Sequence, residues 1–300
     1  MAKTREIKKR IKAVGNIKRI TKTMQMIATA KFAASLQRAT ATKPYTEGLF
    51  DLVRELAATA GSDLTHPLIT GPAGGAAAGA PDVTLIITSD RGLCGPYNGS
   101  VLRVAMSHIR SSDAARKGRI ELVGKKGAGF LRYNRVEVAA NHTFGDKPSF
   151  DAVSELAQKY MDAFTRGELS GVRVIYMKFL SAGKQAPEVM QLLPLKPTAA
   201  VASRPGGAPA EGGAAVLYEF SPPAEELLGD LLPAAVKAML FQAFNDAVVS
   251  ENIARMVAMK SATDAAGKMG KTLTRQFNRA RQAQITTELS EIIAGAAALK

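Results

Sequence analysis

The chain has 300 residues, 46% hydrophobic and 22% charged, with a net charge of +14. That composition predicts a folded protein of one to three domains and excludes a chain disordered throughout. A single cysteine, Cys94, and three scattered histidines exclude a disulfide scaffold and a zinc site built on paired cysteines.

The N-terminus is basic. Residues 1–38 hold eleven Lys and Arg against Glu6 alone, so this segment expects an anionic partner: nucleic acid, a membrane surface or an acidic protein. The plainer reading is a solvated helix face. Lys3, Arg5, Lys8, Lys9, Arg10 and Lys12 fill the space that a secretory signal core needs. A basic amphipathic start also has the look of a mitochondrial presequence, but here the pattern runs unbroken into a long helix. No stretch approaches the ~20 uninterrupted apolar residues of a membrane span. With one cysteine, the expectation is a soluble protein in a reducing compartment.

Ile7, Ile11, Val14, Ile17, Ile20, Met24 and Ile27 follow one another in steps of three and four, the spacing of a coiled-coil seam with an excess of threes. Pro44 should break or kink this helix. A second helical stretch, 46–59, continues with Leu49, Val53 and Leu56 on one face. Residues 71–81 contain only Gly, Pro and Ala, the composition of a linker or exposed loop.

The middle of the chain alternates. Val83–Thr88 reads as a buried strand, Ser100–Lys117 as a helix, Ile120–Val123 as a strand and Ala128–Tyr133 as a short helix. Val136–Ala139 reads as a third strand, Phe150–Arg166 as a helix, Val172–Phe179 as a strand and Val189–Leu193 as an edge strand. Strands alternating with helices predict a small Rossmann-like α/β domain with a mostly parallel sheet. Residues 197–215 are rich in Pro, Gly and Ala again.

After Pro222 and Pro223 the apolar residues return to helical spacing, from Leu227 through Val248 and on through Ile253, Met256, Met259, Met269, Leu273, Phe277, Ile285, Leu289, Ile292 and Leu299. Pro233 marks a restart or kink. A helix of ~70 residues extends ~100 Å at 1.5 Å per residue, so it needs another long helix as partner. The N-terminal helix is the one available. The fold class expected is α/β plus a long antiparallel coiled coil, with the α/β domain inserted between the paired terminal helices. The divisions are 1–60, 61–82, 83–195, 196–222 and 223–300.

Candidates for chemistry are weak. Ser89–Gly95 (SDRGLCG) follows the first strand, where ligands often bind in such sheets. An exposed Cys94 there would be a nucleophile, yet no histidine, G-x-S-x-G or Walker pattern accompanies it, and free Cys is usually a small buried hydrophobe. Gly124–Gly129 (GKKGAG) looks like a phosphate cradle without the full G-x-G-x-x-G order. His66, His108 and His142 lack metal-ligand spacing. Met24, Met26, Met256 and Met259 read as coiled-coil packing. The stretch 275–284 (RQFNRARQAQ) sets basic and amide groups beside an apolar seam, and 294–299 (AGAAAL) is a slender tip.

Several segments, in order, resemble the gamma subunit of F-type ATP synthases, the central rotor shaft. They are Ile20–Met26 with Ala30-Lys31; Ser89–Gly95 with Asn98; Ser250–Asn252; Ala254–Lys260; Ala262–Asp264; Asn278–Gln282 with Ile285-Thr286; and Glu288-Leu289 to Ile292–Ala296. The resemblance covers nearly the whole chain. It implies a non-catalytic shaft standing inside a hexamer of alpha and beta subunits, with its foot on a membrane ring of c subunits beside epsilon. Proton flow turns the ring, and the turning shaft drives ATP synthesis at the beta sites. It implies no cofactor, no metal and no nucleic acid. Arg281, Gln282 and Thr286 match positions that hydrogen-bond a catch loop on beta, where an Arg fork suits a carboxylate. Lys22, Met24 and Lys31 match positions near an acidic region of beta. Leu217, Tyr218 and Glu219 match the foot segment near the c ring. Pro96 stands where a second glycine is expected, and the loops at 71–81 and 197–215 look expanded. One cysteine rules out the chloroplast form's internal cysteine-pair switch. The lack of a transit peptide favours a bacterial protein, peripheral on the cytoplasmic side of the inner membrane. Two competing readings are a basic coiled-coil protein that binds nucleic acid, which lacks a basic patch interleaved with aromatics, and a small α/β enzyme using Cys94.

Overall fold

The computed structural model describes residues 2–60, 66–71, 80–195 and 224–298. In chain order the elements are α1 (Ala2–Ala60), α2 (Pro67–Thr70), β1 (Asp82–Ile87), α3 (Tyr97–Ser111), α4 (Asp113–Lys117), β2 (Arg119–Val123), α5 (Lys126–Tyr133), β3 (Ala140–His142), α6 (Phe150–Thr165), β4 (Gly171–Ser181), β5 (Lys184–Leu193) and α7 (Ala224–Ala298). They form two compact units, one of residues 1–31 and 253–300, the other of 32–252.

The first unit pairs the start of α1 with the end of α7. Thr4 Oγ1 donates to Gln284 Oε1 at 3.1 Å, and Thr263 Oγ1 donates to Thr21 Oγ1 at 2.8 Å. Between these, Val14 lies over Gly270 and Lys18 over Gly267. Numbers rise on one helix as they fall on the other, so the pair is antiparallel, as the terminal periodicity predicts.

The seam differs from the predicted one. On α7 it follows Met259, Thr263, Ala266, Gly270, Leu273, Phe277, Ala280 and Gln284, all buried or half-buried and alternating steps of four and three. On α1 it takes Thr4, Ile7, Ile11 and Val14, then Thr21 and Ala28. Ile17, Ile20 and Ile27 are 52%, 57% and 52% exposed. The reason is geometric: at about 100° per residue, Ile20 lies roughly 180° around the helix from Ile11. Small side chains such as Thr21, Ala28, Thr263, Ala266 and Gly270 share the contact with Ile7, Ile11, Leu273 and Phe277, while Ile17, Ile20 and Ile27 face outward.

The second unit is built on a five-stranded sheet of order β3-β2-β1-β4-β5. Pairs β1/β2, β1/β4 and β2/β3 are parallel, and β5 closes the edge as an antiparallel hairpin with β4. All six residues of β1 are buried, as a central strand covered on both faces requires. Val83, Leu85 and Ile87 join one core with Val153, Ala157 and Phe164 of α6, Leu49, Val53 and Leu56 of α1, and Leu232, Val236, Leu240 and Phe244 of α7. α3 covers the opposite face through Val101, Leu102, Ala105 and Ile109. A buried Leu, Val or Phe contributes about 1.5–3 kcal/mol.

Pro44 does not break α1, and Pro233 lies inside α7. Proline in a helix interior costs ~3 kcal/mol. Its ring is exposed here, while Ala39, Thr46, Leu49, Val53 and Leu56 bury the helix on both sides of it. Thr42 Oγ1 also lies 3.2 Å from both the Arg38 and Ala39 carbonyl oxygens, and its single proton can serve one of them. α7 contains a stretch long and apolar enough by composition to cross a membrane, with 44% of it buried inside the protein. Its Leu232, Val236, Leu240 and Phe244 are core residues.

Three local expectations shift. The third strand is Ala140–His142, not 136–139, because its register is set by pairing Glu121 with Ala140 and Val123 with His142. The helix expected over 100–117 divides at Ser112, whose Oγ accepts from Ala115 N and caps α4. The first Gly/Pro/Ala-rich stretch is preceded by α2, capped by His66 Nδ1 and anchored by buried Leu68. Four residues are too few to show a period.

Candidate functional site

Arg281, Gln282 and Thr286 all lie on α7 in the paired-helix unit, and all are exposed. Gln282 and Thr286 sit one turn apart, and Thr286 Oγ1 donates to the Gln282 carbonyl at 3.0 Å. Ile285 and Leu289, 55% and 57% exposed, lie among them, and Ile292 and Ile293 extend the apolar surface. The three polar groups thus stand beside an open apolar strip on the side of α7 away from its seam.

Lys22, Met24 and Lys31 are on α1 of the same unit. Met24 and Lys31 are half-buried and Lys22 is exposed. Met24 and Lys31 are two turns apart and share a face, while Lys22 and Lys31, nine residues apart, lie on roughly opposite sides of the helix. The structure therefore groups two of the three. Leu217, Tyr218 and Glu219 lie outside the described residues.

Charge is divided between the units without remainder. Residues 1–31 and 253–300 hold eighteen Lys and Arg against four Asp and Glu, a net charge of +14; residues 32–252 hold 22 of each sign. Along α1, Glu6 pairs with Arg10.

The turn after β1 is structural. Cys94 is 2% exposed. Asn98 Nδ2 donates to Ser89 Oγ at 2.7 Å and to Cys94 Sγ at 3.3 Å, and Asn98 Oδ1 accepts from Ser89 N at 3.0 Å. The thiol is buried inside this clasp and accepts from Asn98, which overturns the reading of an exposed nucleophile. The clasp holds exposed Leu93 in the left-handed region at φ 64. Next to it Arg91 pairs with Asp146, which raises the Arg91 pKa by hydrogen bond and charge.

The phosphate-cradle reading fails too. Gly124 N donates to the His142 carbonyl, Lys126 N to the Ser89 carbonyl and Gly127 N to Thr88 Oγ1. Those amides are occupied by protein. Gly124 has φ +85, and a Cβ there would come within 2.4 Å of the Thr88 carbonyl oxygen. The glycines serve close packing of the turn after β2 onto the turn after β1.

In sheets of this kind ligands occupy the crevice beyond the carboxyl ends of the strands. Here that space meets α7. Thr88 and Gly124 at the strand ends face Phe244, Ala247, Val248 and Glu251, leaving a cavity of about 30 Å³, space for about one water. Phe144 packs edge-on against Phe244 at 4.8 Å between ring centroids. Among the described residues no cluster of three or more His, Cys, Asp or Glu is placed to hold a metal ion.

Two features escaped sequence reasoning. Glu121 Oε2 accepts from Tyr160 OH and meets His142 Nε2, each at 2.7 Å. Burial alone raises the Glu121 pKa, but the His142 and Tyr160 hydrogen bonds outweigh it and the net shift is downward. The second is an open groove between α3 and α5, lined by Arg103, Met106, Arg110, Phe130 and Asn134. Its two sides are some thirty residues apart in sequence, so no local motif marks it.

The protein family described as ATP synthase matches residues 3–299. A curated relative named ATP synthase gamma chain from Rhodopirellula baltica is 38% identical, with 100% of each chain covered. Another of the same name from Desulfitobacterium hafniense is also 38% identical with 100% of each covered. Among solved structures, a chain of the Euglena gracilis mitochondrial ATP synthase (OSCP, F1 and c-ring) matches with a TM-score of 0.67 and 17% identity, over 99% of this chain and 95% of that one. A chain of the Tetrahymena thermophila enzyme's central stalk and c-ring matches at TM-score 0.56 and 20% identity, over 81% and 99%. At those identities the solved structures share the fold.

Proposed function

The chain belongs to the ATP synthase gamma chain family, a stalk subunit of a membrane-associated complex and not itself a catalyst, and from that premise we propose how its surface works as the central rotor. The paired-helix unit turns inside a sleeve of alpha and beta subunits. Arg281, Gln282 and Thr286 hydrogen-bond a carboxylate-bearing catch loop on beta, with the Arg281 guanidinium as the bidentate member. Lys31 and Met24 face the acidic region of beta together, and Lys22 meets it at another angle of the rotation. Leu217, Tyr218 and Glu219 contribute to the foot on the c ring, beside epsilon, on the cytoplasmic side of a bacterial inner membrane. The shaft's rotation couples the ring's ion flow to ATP synthesis or hydrolysis at beta.

One observation carries this reading. The paired-helix unit holds the net charge of +14 and turns large apolar side chains outward on both helices, which suits a partner that is acidic in places and apolar in others. Thr, Ala and Gly at several seam positions let the two helices approach closely there. Affinity purification of the tagged chain from native membranes tests it. Stoichiometric alpha and beta subunits with ATPase activity are expected. Recovery with nucleic acid at physiological salt, and without those subunits, would overturn it in favour of electrostatic nucleic-acid binding.

A further inference from the structure

The open groove between α3 and α5 has the make-up of a protein contact. Its space is about 700 Å³. Buried Met106 and Phe130, 40% exposed, give it an apolar lining, and Arg103, Ser107 and Arg110 of α3 line it as well. Tyr133, one turn beyond Phe130 on α5, is 87% exposed. Single exposed apolar side chains are ordinary. Aromatic, Met and Arg side chains grouped together, with no Lys, Asp or Glu among the lining residues, mark a surface where proteins meet.

Charge here is unbalanced, although the unit around the groove is neutral. Residues 97–111 and 126–135 hold Arg103, Arg110, Lys126, Arg132 and Arg135 and no Asp or Glu. The acids that lie between these stretches in sequence are engaged elsewhere. Asp113 pairs with Arg116 at 3.2 Å, and Glu121 meets Tyr160 and His142. Among the described residues no ion pair takes up Arg103 or Arg110. The chain thus leaves two cations beside an apolar lining and supplies no acid for them.

We propose that this groove receives an acidic amphipathic helix of a partner protein. Arg103 and Arg110 are seven residues apart, so they lie nearly on one line of α3, about 10 Å apart along its axis. A helix laid alongside α3 repeats that spacing. Two carboxylates two turns apart on it reach both guanidiniums, and an apolar side chain between them enters beside Met106 and Phe130. Met106 lies between the two arginines along α3. The cations therefore flank the apolar lining instead of forming a continuous track, which favours a helix with an apolar anchor over a nucleic-acid strand. The groove belongs to the sheet-bearing unit alone, and the proposal stands apart from the rotor contacts of the paired helices.

Photo-crosslinking in the source cells tests it. The tagged full-length chain carries p-benzoylphenylalanine in place of Ser107 or, separately, of Ser111, which also lines the groove. Cells are irradiated before lysis, so the result does not depend on which subunits are later recovered with the chain. From both positions the crosslink should reach the same helical segment of another protein, with at least two Asp or Glu flanking an apolar residue. Adding Arg103→Glu with Arg110→Glu should lower the yield about tenfold or more, the loss expected for charge-assisted pairs, while the denaturation midpoint of the chain is kept. Should that variant fail to fold, Arg103→Gln with Arg110→Gln replaces it, and a fall in yield is again expected. The proposal is overturned by no crosslink, by a crosslink within the chain or to lipid or nucleic acid, by a segment without paired acids, or by a yield that the arginine changes leave intact.

Discussion

The two compact units handle apolar surface in opposite ways. In the sheet-bearing unit Val53, Leu85, Val236 and Leu240 have no exposed surface, and its charges balance. The paired-helix unit closes its seam with Thr21, Ala28, Thr263 and Ala266 and leaves Ile17, Ile20, Ile285 and Ile292 outside. The first is composed to satisfy itself. The second leaves much of its large apolar and basic surface uncovered by the chain itself.

Substitutions should separate the two. Phe244→Ala removes a fully buried ring from the core that joins α7, α6 and the sheet. It is expected to cost about 3–5 kcal/mol, read as a lower denaturation midpoint of the full chain. Arg281→Ala should leave that midpoint within about 0.5 kcal/mol. It should lower ATP synthesis by the assembled complex about tenfold, the loss expected for one charge-assisted hydrogen bond; unchanged synthesis would remove Arg281 from the catch. A pair of changes, Ile285→Ser with Leu289→Ser, sharpens the contrast further. The isolated chain should keep its stability, while its recovery with alpha and beta subunits falls.

Smaller effects come from the Glu121 network and the tip. Because the Glu121 pKa is lowered in the folded chain, its contribution is present above its ordinary 4.5 and is lost as pH falls through the lower folded value. Glu121→Gln should therefore flatten the acid limb of the stability profile below about pH 4.5 and change little at pH 7. The smallest effect belongs to removing residues 294–300, where small side chains offer little specific contact. Synthesis should stay within about twofold, and a loss comparable to that of Arg281→Ala would make the tip a specific contact.

Sequence periodicity reached the alternating strands and helices of the sheet unit because buried strands are continuous runs of apolar, mostly β-branched residues. Asp82–Ile87 (DVTLII) is the clearest case. It missed β3 because Ala140-Asn141-His142 carries no apolar signal and owes its place to pairing with β2. It found two long helices but misplaced their seam, since Ile17 and Ile20 advertise hydrophobicity more loudly than Thr21 does. The proposed site residues rest on motif resemblance; Arg281, Gln282 and Thr286 are ordinary exposed helix residues by composition.

The crevice filled by Phe244, Ala247 and Val248 has a consequence during synthesis. Among the described residues the last strand of the sheet ends at Leu193, but the side chains that plug its crevice are encoded about fifty residues later. At 5–20 residues per second the ribosome needs roughly 3–10 s to deliver them. For that interval the nascent sheet has an open apolar mouth where a nucleotide-binding relative of the fold would have a ligand. Its own helix arrives as a tethered ligand at high effective concentration and never leaves. A chain cut short before residue 244 would retain every described strand and lack the side chains that close their carboxyl ends.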